Sequence, residues 1–226
     1  MLASAPANRA LRFSVRVALV VVGSIGIAVS VALLLWTELG PGPLDVFIGA
    51  VRVRSGLPLG VTVWLVVGSM VVAAWLLGHR PGPGTLVSPF IVGAVMQVAV
   101  EALDELDRPG SLAVRVAVHL VAIAGIGIGA GALIVSRLGA GSGELLATAA
   151  SMRAGYREPR VRTAIEAGWL LTGVALGGPF GLGTLLVAAT IGPAVLIGHR
   201  IVDTMVVHSL RSHRPHDVAD CCDGKQ

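Results

Sequence analysis

The chain has 226 residues, of which 54% are hydrophobic and only 13% are charged. A soluble domain carries roughly 25% charged residues, so this composition excludes an ordinary water-soluble protein. The formal net charge of +4 would suggest a nucleic-acid partner in a soluble protein. In a membrane protein, however, basic residues set the topology, and we expect no nucleic-acid partner.

Long uncharged runs indicate the class of protein. A transmembrane helix needs about 20 predominantly apolar residues, and runs of this length lie at 17–36, 60–78, 81–100 and 116–136. A longer run, 167–198, has room for parts of two spans. We therefore predict an all-α polytopic membrane protein in a lipid bilayer. Its six spans are expected at about 13–36, 60–78, 89–103, 112–136, 161–177 and 184–202.

The first membrane repeat, residues 11–107, follows a short cytoplasmic arm of residues 1–10. After the first span, prolines at positions 41 and 43 interrupt the helix. Residues 43–55 can form a helix of about 20 Å, which is too short for a hydrocarbon core of about 30 Å. This segment must therefore lie at the interface or enter the membrane and return.

The third span is expected to follow a tight turn at Gly82–Thr85. Ser88 and Pro89 are interpreted as its N-cap and first helical residue, because serine caps helix starts and proline needs no amide donor there.

The second half of the chain repeats this plan. Gly40 and Gly139 are separated by 99 residues (139 − 40), and the same separation relates many other pairs. A constant separation across most of the chain indicates an internal duplication. The second membrane repeat covers residues 108–205, its short segment 142–155, and residues 206–226 form a tail expected to be flexible and cytoplasmic. The further pairs include Arg16 and Arg115, Gly26 and Gly125, Arg54 and Arg153, Gly56 and Gly155, Gly78 and Gly177, and Gly93 and Gly192.

The distribution of basic residues predicts the topology. With six spans, 13 of the 17 lysines and arginines fall on the face that holds both termini, which places both termini in the cytoplasm. Because each repeat has three spans, the second repeat must be inverted relative to the first. An alternative with eight spans and parallel repeats requires 43–58 and 142–158 to cross the membrane.

The stretch Leu39-Gly-Pro-Gly-Pro-Leu-Asp45, with Arg54-Ser-Gly56 and Gly82-Pro-Gly-Thr85 after it, resembles the YczE/YitT-type bacterial membrane proteins. The resemblance covers most of the chain. It implies a multi-span inner-membrane protein, and related sequences have been proposed as exporters of small molecules. The second copy differs from this pattern, because Ser142 and Leu182 replace Pro43 and Pro83.

Six residues are candidates for a substrate or ion path between the repeats. Each copy contributes an acid that follows a Gly-x-Gly turn, and acids within a membrane often mark such paths. The alternative is that the acid only stabilises the positive end of a helix. The candidates are Gly40, Gly42 and Asp45 in the first copy, and Gly139, Gly141 and Glu144 in the second.

Four further residues are candidate anion contacts. Arg54 and Arg153 end the short segments, where lipid phosphate is the alternative partner. Thr85 and Thr184 lie beside glycines near helix starts, which suit anions but equally suit a simple cap.

We expect no cofactor, no metal site and no enzymatic activity. The tail contains His208, His213, His216, Cys221 and Cys222, but a metal site there is not favoured in a flexible cytoplasmic segment, and no catalytic set of residues is evident.

Three functions remain open. The first is a transporter or channel for a small molecule or ion. The second is a substrate-capturing membrane subunit that works with a partner ATPase through a surface near residues 153–162. The third is an assembly or regulatory protein that transports nothing, and any of them could be a homo-oligomer.

Overall fold

The computed structural model describes residues 13–108, 110–139 and 141–212, and these ranges form eight α-helices. The helices are α1 Phe13–Trp36, α2 Pro43–Ser55, α3 Leu59–Leu76, α4 Pro83–Asp104, α5 Leu112–Ser136, α6 Ser142–Ala154, α7 Glu158–Ala175 and α8 Leu182–Ser212.

Within the described residues, five helices are long and apolar enough to cross a membrane: α1, α3, α4, α5 and α8 over Leu182–Val206. The helical polytopic membrane fold predicted from the sequence is confirmed. The span predicted at 161–177 corresponds to α7, which is not among the five. This helix has 18 residues, but Glu158, Arg160, Arg162 and Glu166 make it more polar than the others.

The two short helices are bounded by glycines. Helix α2 begins after Gly42, whose backbone is extended, and ends at Gly56, which adopts the left-handed conformation with φ 68°. Helix α6 has the same boundaries, between Gly141 and Gly155. Both helices have 13 residues, which corresponds to about 20 Å. The apolar face of α2 contributes the buried Ile48 to the main core.

The duplication seen in the sequence extends to backbone conformation. Each helix of the second half begins 99 residues after its counterpart in the first half, as α2 at Pro43 and α6 at Ser142 show. The positive-φ residues also recur at this separation: Gly40 with Gly139, Gly56 with Gly155, Gly78 with Gly177, and even Glu38 with Arg137.

Contacts between the two halves occur in reciprocal pairs. Helix α2 packs on α7, and the equivalent α6 packs on α3, while α1 and α5 pack on each other at the centre. The amide of Gly183 donates to the carbonyl of Leu39 at 2.7 Å, and the amide of Gly84 donates to that of Leu138 at 2.9 Å. These two bonds are equivalent under the 99-residue relation.

Close approach of α1 and α5 depends on small residues. A Cβ atom added to Gly23 would lie 2.8 Å from the carbonyl oxygen of Gly129, and one added to Gly129 would lie 2.7 Å from that of Gly23. Small residues allow such packing in membranes, where helix association relies on close van der Waals contact.

The predicted start of the third span is wrong. Helix α4 begins at Pro83, so Gly82–Thr85 is the start of a helix and Pro89 lies in the helix interior. Pro83 already provides a favourable first residue, and the helix continues past Pro89 because both Ser88 and Pro89 are buried against neighbouring elements.

The last helix continues past residue 206, where the tail was predicted to begin. Helix α8 extends to Ser212, because neither glycine nor proline interrupts residues 199–214. The predicted arm of residues 1–10 and the tail beyond residue 212 lie outside the described residues, as do four of the five tail residues considered for a metal site.

Candidate functional site

A cavity of about 280 Å³ lies between the two halves of the molecule and is lined by residues from all eight helices. Most of its lining side chains are aliphatic, such as those of Ile27, Val63, Val92, Ile126 and Ile191. Its polar side chains are those of Asp45, Ser88, Ser142, Glu144, Arg162 and Glu166.

Both candidate acids line this cavity, and both also act at helix starts. The amide of Gly141 donates to Oε2 of Glu144 at 3.1 Å. In the first repeat, Oδ2 of Asp45 lies 3.1 Å from the position that a Cβ atom on Gly42 would occupy. Each carboxylate therefore turns back toward the glycine that precedes its helix while it remains on the cavity wall. The two interpretations of these acids, capping and lining, are compatible.

The four candidate glycines divide into two kinds. Gly42 and Gly141 line the cavity, whereas Gly40 and Gly139 lie where a loop of one repeat crosses a helix start of the other. Gly40 has φ 112°, and a Cβ atom there would lie 2.7 Å from the amide nitrogen of Gly181. Gly139 has φ 149°, and a Cβ atom there would likewise be too close to Thr85 at the start of α4.

Thr85 and Thr184 belong to these crossings rather than to the cavity wall. Their exposed fractions are 1% and 0%, and Oγ1 of Thr184 accepts from the amide of Gly181 at 3.4 Å. The structure thus places both hydroxyls inside the protein, beneath Gly139 and Gly40.

Arg54 and Arg153 lie away from the cavity. Nε of Arg54 donates to the carbonyl of Leu176 at 3.1 Å, just after α7, where the helix end carries partial negative charge. Arg153 is an exposed residue in the last turn of α6. The structure does not bring these two arginines together with the candidate acids.

Arg162 and Glu166 also line the cavity, although neither was among the candidates from the sequence. Nε of Arg162 lies 3.0 Å from Oε1 of Glu166, and its Nη1 lies 3.6 Å from Oε1 of Glu144. The signal in the sequence was a charged pair four residues apart within a predicted span. With all groups ionised, three carboxylates and one guanidinium line the cavity.

A second cavity of about 810 Å³ adjoins the first. Its wall includes Arg52, Gln97 and Pro179, and it shares Asp45, Ile48 and Met96 with the first cavity. Ile48 and Met96 are only 3% and 2% exposed. These three shared residues therefore form a thin partition between the two spaces.

The two halves differ in how their third and fourth helices pack. Helices α3 and α4 are in close contact: a Cβ atom on Gly60 would lie 2.7 Å from the carbonyl oxygen of Gly93, and Nε1 of Trp64 donates to the carbonyl of Phe90 at 3.3 Å. Within the described residues, α7 and α8 have no comparable interface. Gly192, the counterpart of the buried Gly93, is exposed with open space around it.

A separate polar cluster joins α1, α5 and α8. His119 is fully buried, with Nδ1 at 3.0 Å from Oγ1 of Thr37 and Nε2 at 3.4 Å from the carbonyl oxygen of Gly183. His119 therefore joins neighbouring elements of the protein, and it lies outside the cavity between the repeats.

Comparison with known proteins places the chain in a family. A family of unknown function, DUF6198, matches residues 10–200. The chain belongs to this family. Two curated relatives also match the chain in sequence. A protein of Haemophilus influenzae described as "Uncharacterized protein" is 27% identical over 163 residues, which cover 72% of this chain and 73% of the relative.

The second relative is the "Uncharacterized membrane protein YczE" of Bacillus subtilis, 28% identical over 158 residues, or 68% of this chain and 71% of the relative. The resemblance to YczE-type proteins is therefore confirmed. No solved structure matches this DUF6198 chain.

Proposed function

We propose that the protein is a transporter for a small molecule or ion and that its path passes through the cavity between the two repeats. The observation that carries this proposal is the position of Asp45 and Glu144, which occupy equivalent places in the duplication and line one cavity. Charged groups within a membrane are costly and commonly serve ion or substrate movement. The proposal assigns the chain no enzymatic step.

The proposed architecture has six spans arranged as two inverted repeats, in a bacterial inner membrane with both termini in the cytoplasm. A two-fold relation exchanges the two partners in every contact, and the paired bonds from Gly84 and Gly183 have this property. Helix α7 would be the sixth span. Its Arg162 and Glu166 line the cavity, which is how membrane helices accommodate charged residues.

The unequal packing of the two repeats suggests how the path opens. In transporters with inverted repeats, one repeat or bundle moves against the other around a fixed site. Here the first repeat is closed by the contact of α3 with α4, while in the second α7 and α8 form no comparable interface among the described residues. We propose that the repeats exchange these arrangements, so that α7 closes on α8 as α3 separates from α4.

Cross-linking of paired cysteines tests this exchange without knowledge of the substrate. Trp64 and Phe90 are in contact across α3 and α4, and the residues 99 positions later are Thr163 and Ala189, both exposed. In a background with Cys221→Ser and Cys222→Ser, the pairs W64C/F90C and T163C/A189C should both react with a short bifunctional reagent in native membranes.

The pair T163C/T204C serves as a control, because Thr204 lies 15 residues beyond Ala189 on α8, about 22 Å along the helix. It should remain unlinked. Failure of T163C/A189C to react under conditions in which W64C/F90C does would overturn the exchange.

A second function is favoured by the surface at the junction of α6 and α7. Met152 and Tyr156 are 70% and 67% exposed, and Arg153, Arg157 and Arg160 are exposed around them. This mixed apolar and basic surface would suit a partner ATPase if the chain were a substrate-capturing subunit. Transport by the purified chain alone in liposomes would exclude a required partner.

A further inference from the structure

We propose that the cavity between the repeats binds a protonated aliphatic amine, with the ammonium group at Asp45 and the alkyl group against the aliphatic wall. This inference rests on the proposed transport path, because it names the substrate class of the same cavity. It is carried by three properties of the described lining: the excess of carboxylates, the aliphatic character of the remaining wall and the absence of aromatic side chains.

The charges favour a cation over an anion. Glu144 and Glu166 share Arg162 as a common partner, at 3.6 and 3.0 Å. No salt bridge to Asp45 occurs within the described residues. Asp45 is therefore the lining carboxylate without a protein cation beside it, and a ligand cation at this position would compensate its charge. An anionic ligand would add to the excess of negative charge.

The wall favours an organic cation over an inorganic one. A calcium ion takes six to eight oxygen ligands and a magnesium ion near-octahedral oxygen coordination, and within the described residues no three histidine, cysteine, aspartate or glutamate side chains are grouped to hold a metal ion. Most of the lining is instead aliphatic, as Val63, Val92 and Ile191 illustrate. Such a wall stabilises alkyl groups by removing them from water.

The absence of an aromatic cage favours an amine with N–H groups. Quaternary ammonium ions are commonly recognised by the faces of aromatic side chains, but no aromatic side chain lines the cavity among the residues that the structure describes. A primary or secondary ammonium can instead donate charge-assisted hydrogen bonds to a carboxylate. Asp45 offers that acceptor beside the aliphatic wall.

Binding to the purified full-length protein in detergent tests this inference. Isothermal titration calorimetry with cyclohexylamine hydrochloride should give saturable binding at neutral pH. Cyclohexanol, the neutral compound of similar shape, should bind at least tenfold more weakly, and sodium chloride at matched ionic strength should give no binding signal. Trimethylcyclohexylammonium, which has no N–H group, should also bind more weakly than the amine.

Two variants connect the signal to the cavity. Asp45→Asn should weaken amine binding at least tenfold, whereas Asp104→Asn, which changes an exposed carboxylate outside the cavity, should leave it unchanged. Val92→Phe, which fills the cavity without altering charge, should also abolish amine binding. This variant provides an independent test if Asp45→Asn folds poorly.

Equal binding of the amine and cyclohexanol, or unchanged amine binding by Asp45→Asn, would overturn the inference. The proposed transport function would survive that result if T163C/A189C still cross-links. Conversely, amine binding without any such cross-link would retain the site and reject the exchange.

Discussion

At the scale of single residues, Gly40 and Gly139 show why the duplicated motif needs glycine. Each residue has a positive φ, and each lies where its loop meets the start of a helix from the other repeat. Few side chains adopt such a φ, and the crossing leaves no room for a Cβ atom. The sequence indicated that these glycines matter, but it did not show that the first glycine of each motif packs at a crossing while the second faces the cavity.

We predict that Gly40→Ala destabilises the protein by more than about 2 kcal/mol, because it combines backbone strain with a steric clash. Reversible unfolding in mixed detergent micelles provides the measurement. Gly26→Ala is the matched control, since nothing lies within 4 Å of a Cβ atom at that position. Equal stability of the two variants would show that the crossing is not tightly packed.

The two acids give a second prediction at this scale. Asp45→Asn and Glu144→Gln keep the size and most hydrogen-bonding capacity of the side chains but remove the charge from the cavity. Each variant should insert and fold while transport falls by at least tenfold in liposomes containing the native substrate. If the acids only begin helices, transport should be normal and the loss of stability at most about 1 kcal/mol.

At the scale of helices, α7 is the element that the sequence described least well. Flanking glycines and prolines made the bounds of α2 predictable at 43–55, and they match the structure. In contrast, the role of α7 depends on tertiary packing, which brings Arg162 between Glu144 and Glu166. The start of α4 was wrongly predicted for a related reason, because a buried proline can lie within a helix when its neighbours pack around it.

For α7 we predict that Arg162→Gln lowers stability by about 1 kcal/mol, because two nearby carboxylates lose their shared cation. The double variant R162Q/E166Q should recover part of that loss, since one unpaired charge is also removed. Unfolding in micelles again provides the measurement. A double variant that is less stable than R162Q would show that the two residues contribute separately.

At the scale of the whole molecule, the number of helices that cross the membrane decides between the two topologies. The duplication predicted from the sequence extends to helix starts and positive-φ residues, because a repeated pattern of glycines imposes a repeated backbone. Membrane orientation depends on the distribution of charge across the bilayer, and only accessibility from each side reports it directly.

With six spans, Leu106→Cys and Phe180→Cys should react with an impermeant thiol reagent added to intact cells, while Arg157→Cys should not. All three native residues are exposed, so the difference should come from the side of the membrane. The reversed labelling pattern would place the termini outside, and labelling of all three would contradict the six-span arrangement.

The central claim, that a path runs between the repeats, is tested most directly at Ser88, which lines the cavity and is 6% exposed. Ser88→Cys, in a background without Cys221 and Cys222, should be labelled by a small hydrophilic thiol reagent from either side of the membrane in right-side-out and inside-out vesicles. When a W64C/F90C cross-link holds α3 against α4, labelling of Ser88→Cys should be lost from one side of the membrane only. A cysteine that reacts from neither side, or from a single side under all conditions, would contradict the account.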